Sequence, residues 1–245
     1  KTENNTSANN NGYTLSNDIL YRHKFKKTGR TFSINGEVQL NKSDGDGNNY
    51  SLNGFRNTTT ILDQHYDKES DGYTLSSRLV YTEPIGKNTQ LMVSYRPRST
   101  TTYSDKATNN INPTDGSYNI FDTLLSNKFN SNYTTHEGGV GLRVNKGRKL
   151  RGMIGINGQA ATLSGSQEFP TQFAINKSFN NILPMMFLNY RPSRGKNLRF
   201  MYRTNTTAPS ITQLQNVVDI SNPLLLSTGN PDLKQAVQHR TIIRY

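Results

Sequence analysis

From residue 13 to residue 25 the chain reads YTLSNDILYRHKF, with Tyr13, Leu15, Ile19, Tyr21 and Phe25 on the odd positions. The even positions are polar except Leu20. A period of two predicts a strand with one apolar face. The same beat returns in TFSINGEVQLN (31–41), where Phe32, Ile34, Val38 and Leu40 alternate with Ser33, Asn35, Glu37 and Gln39. It returns again in TQLMVSYR (89–96), RKLRGMIGINGQAA (148–161) and NLRFMYRTN (197–205). These predicted strands run roughly 10–13 residues, enough for the ~9–11 that a tilted strand needs to cross a hydrocarbon layer.

The connections alternate as regularly as the residues do. KKTGR (26–30), IGKN (85–88), KGRK (146–149) and PSRGKN (192–197) have the length and glycine content of hairpin turns. Between them lie polar stretches, 44–72, 105–130, 164–178 and 207–235, that predict long loops. Short turns then emerge at one end of the sheet and long loops at the other. A soluble sandwich has no reason for that asymmetry, whereas a transmembrane β-barrel has short periplasmic turns, long outer loops, a lipid face and a wet lumen. Tyr21, Phe25, Tyr81, Tyr95, Tyr190 and Tyr202 fall near predicted strand ends, as an interfacial girdle requires. The expected fold is all-β, an antiparallel meander of long hairpins forming part of a transmembrane β-barrel. It has about nine strands in one domain over 1–245, with 1–12 a polar loop or tail and 207–235 a long extracellular loop. The last predicted strand, AVQHRTIIRY, runs to Tyr245. An open sheet edge in lipid costs several kcal/mol per unpaired group. The chain therefore reads as the C-terminal-side portion of a larger barrel, with a plug domain not present in it.

Composition fits this picture. The mean hydropathy of −0.76 and the 32% hydrophobic content look too low for a generous core, but half of each barrel strand faces water. Cysteine is absent, which removes disulfides, thiolate metal sites and thiol nucleophiles. No apolar run approaches a membrane helix, and Lys1 opens a polar stretch with no leader-like segment behind it. The net charge of +12 gathers at the short turns without any nucleic-acid-binding signature, so no nucleic-acid partner is expected.

Candidate chemistry is sparse. His23, His65, His136 and His239 lie in separate segments without metal-ligand spacing. DGDGNN (44–49) begins like a calcium loop with Asp44, Asp46 and Asn48, but Phe55 stands where a bidentate Glu belongs. Asp63 with Asp67 and Glu69 with Asp71 lack an apolar pocket to raise a carboxyl pKa. No catalytic residue, metal or cofactor is expected, and the chain does not read as an enzyme. On the polar faces of the strands stand Arg22, Glu37, Arg78, Arg96, Arg143, Arg151, Arg199 and Arg203, expected to face the lumen. Loop aromatics that could stack on a substrate include Tyr50, Tyr66, Tyr103 and Tyr118.

The run 202–245 carries the most specific pattern. Ala208-Pro209-Ser210 ends a strand, the short helical stretch Ile211 to Leu214 follows, and Gly229-Asn230-Pro231-Asp232-Leu233 turns back toward the next strand. Pro209 removes a ladder donor, Ser210 caps the helical turn, and Gly229 supplies a reversal before the extended Asn230-Pro231 pair. This order resembles TonB-dependent outer-membrane receptors, and most of all the Bacteroidetes outer-membrane β-barrel family, although Lys234-Gln235 replaces the usual Pro-Glu. The resemblance implies a place in the cell outer membrane among its lipids, and energised uptake of a small-molecule, glycan or peptide nutrient. It implies an N-terminal plug domain and TonB as partners in the full-length protein. The alternative weighed against it is a soluble β-sandwich adhesin or glycan-binding module.

Overall fold

The computed structural model describes residues 2–55, 58–169, 171–193, 195–214, 218–219, 227–230 and 232–245. β1 (Thr2–Lys24), β2 (Thr31–Phe55), β3 (Thr58–Gly86) and β4 (Thr89–Ile111) are followed by the short β5 (Tyr118–Phe121). Next come β6 (Asn127–Lys146), β7 (Leu150–Phe169), β8 (Phe173–Tyr190) and β9 (Leu198–Thr207). The helical turn α1 (Ile211–Leu214), the two-residue strands β10 (Val218–Asp219) and β11 (Ser227–Thr228), and β12 (Ala236–Arg244) complete the order. One antiparallel sheet runs β1-β2-β3-β4-β6-β7-β8-β9-β12, with β5 added beside β4 and β10 paired with β11 apart from it. The sheet curls into half a barrel. Four short basic turns close its hairpins, and Gly29, Gly147 and Gly195 take positive φ in three of them, at 88°, 61° and 83°.

Sidedness follows from the register. Opposed residues point to the same side, so Val93, Val140 and Ile156 form one row and Leu91, Leu142, Ile154 and Met186 another. The same face carries Ile34 and Val38 on β2. Ile34 is 36% exposed, Val38 43%, Ile154 58% and Ile156 48%. Among the described residues no second sheet stacks on these rows. A soluble sandwich would bury them, so that alternative is overturned. The apolar band is bounded by aromatics. At its outer edge the Tyr95 hydroxyl meets His136 Nδ1 at 2.7 Å and the Tyr202 hydroxyl meets His239 Nδ1 at 2.8 Å, each pair with stacked rings. At the short-turn edge, Glu83 lies just past Tyr81. It accepts hydrogen bonds from Arg30 Nε (2.7 Å), Lys27 Nζ (2.5 Å) and the Tyr81 hydroxyl (2.7 Å), so this carboxylate is closed off where the lipid face ends.

The strands are longer than the sequence pattern predicts. Residues 2–12 belong to β1 and are not a loop or tail, and the expected loop 44–72 is mostly hairpin. β2 and β3 pair without interruption from Thr31↔Thr82 to Phe55↔Thr58. At ~3.3 Å per residue, the hairpin beyond Asn41 and Gly72 extends about 45 Å past the apolar band. The expected loop 105–130 also shrinks, since β4 reaches Ile111 and β6 starts at Asn127. That expected at 164–178 reduces to the link between Phe169 and Phe173. Gly45 and Gly47 explain the misreading. They look like loop residues, but a Cβ on Gly45 would lie 2.5 Å from the Asn9 carbonyl oxygen, and one on Gly47 would lie 2.6 Å from the Tyr66 hydroxyl. They let β1 and the Tyr66 ring approach the β2 backbone. Asp44, Asp46 and Asn48 share one face of this extended strand, a geometry that cannot wrap around a cation.

Ile154→Arg should destabilise the full-length protein by about 2–4 kcal/mol in denaturant-driven unfolding from lipid vesicles, because it charges the lipid face. Gln39→Arg, on the polar face, should cost under about 1 kcal/mol. Equal costs would remove the assigned sidedness.

Candidate functional site: the outer end of the polar face

Along the apolar band the second face carries the charged side chains, with an apolar row of Met153, Phe187 and Met201 and the buried Leu183 among them. Register places Arg22, Glu37, Arg78, Arg96, Arg143, Arg151, Arg199 and Arg203 on this face, opposite the Ile34 and Ile154 rows. They do not converge on one cluster. Arg96 Nη2 donates to Glu137 at 2.7 Å, and Asn157 Nδ2 donates to the other Glu137 oxygen at 2.8 Å. Glu37 accepts from Ser76 at 3.0 Å. Arg151 Nε reaches the Gly147 carbonyl at 3.2 Å, and the Arg199 guanidinium lies 5.7 Å from the Phe187 ring centre.

Beyond the apolar band, the polar face acquires a small core. Leu163 of β7 and Ile175 of β8 are buried there, and Phe129 and Tyr133 of β6 and Phe173 and Phe179 of β8 pack around them. Leu214 of α1, with 0% of its surface exposed, closes this core together with Leu233. Of the residues between β9 and β12, Leu214, Leu233 and Gln235 are thus folded onto the inner wall of the sheet. Local chemistry holds it there. Ser210 Oγ accepts from the Gln213 amide at 3.2 Å, and Gln213 Oε1 accepts from the Ser210 amide at 3.0 Å, a reciprocal cap that ends the strand and starts the helical turn. Pro209, which cannot extend the ladder, is buried at this corner. The Asn230 amide donates to the Gln213 carbonyl at 2.7 Å, which joins the two halves of the segment. Asn230 Oδ1 accepts from the Asp232 amide at 2.9 Å. Gly229 adjoins this turn, and Pro231 lies outside the described residues. Gln235 is nearly buried. It accepts from Asn181 Nδ2 at 2.5 Å and donates to the Tyr133 hydroxyl.

A second segment is clasped at the same end. Gln64 is buried and donates to Asn110 Oδ1 at 2.7 Å and to Asp122 Oδ2 at 3.2 Å. Asp122 Oδ1 in turn accepts from the amides of Leu124 and Leu125. This network holds 112–126 against β3 and β4 through groups on their polar face.

The four aromatic residues singled out in the sequence are not brought together. Tyr50 and Tyr103 lie on the face continuous with the lipid rows, and the Tyr118 hydroxyl donates to Asp63 on that face at 2.8 Å. Tyr66 lies on the polar face, with Lys106 Nζ 5.1 Å from its ring centre. The residues that build the packed region, Leu163, Ile175, Leu214, Gln235 and Tyr133, were missed. A signal for three of them was present. Along β7 the apolar positions are even through Ile154 and Ile156, then odd at Ala161 and Leu163. The same change of phase separates Phe173, Ile175 and Phe179 from Ile182, Met186 and Leu188 on β8. On β6 it separates Phe129 and Tyr133 from Val140 and Leu142. Three adjacent strands change phase together where the covered face changes from the outside to the inside. Among the described residues no group of acidic and histidine side chains is arranged to hold a metal ion.

A curled antiparallel sheet with an exposed, aromatic-edged apolar face and a polar face packed over by outer segments is the wall of a membrane-spanning barrel. The chain belongs to the outer membrane protein beta-barrel family, which it matches over residues 23–245. Its place is the outer membrane. Among solved structures it is similar to the ferric citrate transporter FecA in its unliganded form, at 12% sequence identity and a TM-score of 0.46. That similarity covers 72% of this chain and 27% of the other, so the chain spans little more than a quarter of that protein's length. No curated protein sequence matches the chain.

Leu214→Ala should release residues 208–214 and 232–235 while leaving the sheet folded, since the cavity costs about 2–5 kcal/mol but is confined to the outer end. Hydrogen exchange of the full-length protein should accelerate at 208–214 and 232–235 and stay unchanged at 150–158. Acceleration throughout β7 would show that Leu214 supports the whole wall.

Proposed function

We propose that this chain is part of the barrel wall of a TonB-dependent outer-membrane receptor that takes up a nutrient too large for passive pores. The observation that carries the reading is Leu214 and Leu233, from between β9 and β12, packed onto the inner wall over Leu163 and Ile175. A barrel for free diffusion needs an open lumen, whereas a gated receptor needs its outer mouth narrowed and shaped. The family membership and the Ala208-Pro209-Ser210 to Asp232-Leu233 pattern support the same reading. In the full-length protein, further strands pair with the outer edges of β1 and β12, and a plug domain fills the lumen. The arginines of the polar face and the Glu37 and Glu137 carboxylates then pair with that plug, which large barrels of ~22 strands accommodate. In this reading Tyr66, on the inner face, is the one of the four sequence-flagged tyrosines that meets a substrate in the lumen, since Tyr50, Tyr103 and Tyr118 sit on the outward surface. A purely binding role, recognition of a surface ligand without transport, is the second reading. It is favoured by the sheet extension that β2 and β3 carry beyond the membrane.

The test is uptake by whole cells with and without the full-length protein, across labelled glycans, peptides and metal chelates. Uptake of one class should disappear on deletion and on collapse of the proton-motive force. Binding that survives the uncoupler with no uptake in energised cells would favour the second reading. Uptake indifferent to the uncoupler would overturn the energised mechanism.

A further inference from the structure

The charge of +12 is not spread evenly. Segments 24–31, 83–90, 144–151 and 189–199, which contain the four short turns, hold thirteen of the 29 Lys and Arg residues and one of the 17 Asp and Glu residues. That one acid, Glu83, is already engaged by Lys27 and Arg30. The far end has the opposite character. On the β2–β3 extension Asp44 opposes Glu69 and Asp46 opposes Asp67 across the strand pair. The chain is therefore electrically polarised along the barrel axis, with its cations concentrated at the short-turn rim.

Lys26, Lys87, Arg148, Lys149, Arg191 and Lys196 are all exposed at that rim. Their turns are short, so the charges stay within a few ångströms of the level where Phe25, Tyr81 and Tyr190 end the apolar band. The four turns follow one another every second strand, in steps of about 10 Å along the wall. Such an arc does not converge on a pocket or a compact protein footprint. It follows the line where the wall meets the lipid headgroups. Lysine and arginine stems can lie against the apolar wall while their charged ends reach sideways into that layer.

We propose that this arc of cations binds the phosphate groups of anionic phospholipids in the leaflet that the short turns face. The binding fixes the depth at which the barrel sits. The interaction follows from charge and position, and it weakens as salt screens it. The proposal rests on the barrel reading and on the rule that short turns are periplasmic.

The test uses the full-length protein in bilayers containing spin-labelled phosphatidylglycerol or spin-labelled phosphatidylcholine. Electron spin resonance separates lipid immobilised at the protein from bulk lipid. The immobilised fraction should favour phosphatidylglycerol on the order of two- to fivefold. That preference should fall toward one in 0.5 M salt and in a variant carrying Lys26→Gln, Lys87→Gln, Arg148→Gln, Lys149→Gln and Lys196→Gln. A control with Lys42→Gln, Lys68→Gln and Lys128→Gln, at the other end, should keep it. A ratio of one in the unaltered protein would overturn the proposal and assign the cations to a soluble acidic partner. A preference that survives the five-site variant would also overturn it. No immobilised lipid of either kind would overturn the barrel reading itself, a different result from immobilised lipid with no headgroup preference.

Discussion

Inside a hydrocarbon layer a backbone amide has no water to bond with, so each must find its partner on the next strand. That constraint explains the architecture. The chain answers it with a meander in which neighbours in the sequence are mostly neighbours in the sheet, because short turns supply each new partner at once. The β8–β9 ladder stops next to Pro184 on β8, which has no amide hydrogen to give, and there the Pro184 carbonyl accepts from the Thr204 hydroxyl on β9 in place of a ladder amide. The same constraint requires partners for the outer edges of β1 and β12 in the membrane, which is why this sheet is wall and not a finished barrel.

Once the backbone is satisfied, side chains are free to differ between the faces. The lipid face gains from apolar side chains that would be a liability in water, and Ile154 and Ile182 stand exposed there. The edges of that face carry polar groups that are each matched on the spot: Tyr95 with His136, Tyr202 with His239, and Glu83 with Arg30, Lys27 and Tyr81. These contacts mark where hydrocarbon gives way to headgroups. Beyond them the same strands continue into water, and the apolar side chains of β6, β7 and β8 cross to the inner face, where the segment ending in Leu214 covers them. One wall thus carries a lipid-facing band and, further out, a conventional buried core on its opposite side.

The function proposed here lives in that outward change of side. The membrane band is generic to any barrel. What is particular to this wall is the pair of segments clasped on its inner face at the outer end. One is held by the apolar core around Leu214, and the other by the polar network of Gln64, Asn110 and Asp122. The first clasp adds to the buried Leu214 the Ser210–Gln213 cap, the bond from the Asn230 amide to the Gln213 carbonyl and the Gln235 bonds to Asn181 and Tyr133, whereas the Asp122 clasp is a network of side-chain and backbone hydrogen bonds.

The sequence alone determined which strands cross the membrane, which side chains face lipid, and where the short turns fall. Those features are local, because a period of two and a glycine-containing turn need only a few neighbouring residues to be expressed. Tertiary structure decided how far the strands extend and what covers the inner face. Asp44 to Gly47 has poor strand propensity and becomes strand only because β1 and β3 offer partners on both sides, at distances that only glycine permits. The dispersal of Tyr50, Tyr66, Tyr103 and Tyr118 followed from that extension, since alternation along a strand sends successive positions to opposite faces. The contact of Leu214 with Leu163 and Ile175 joins residues far apart in the chain, and no local pattern in 202–235 encodes what that leucine will touch.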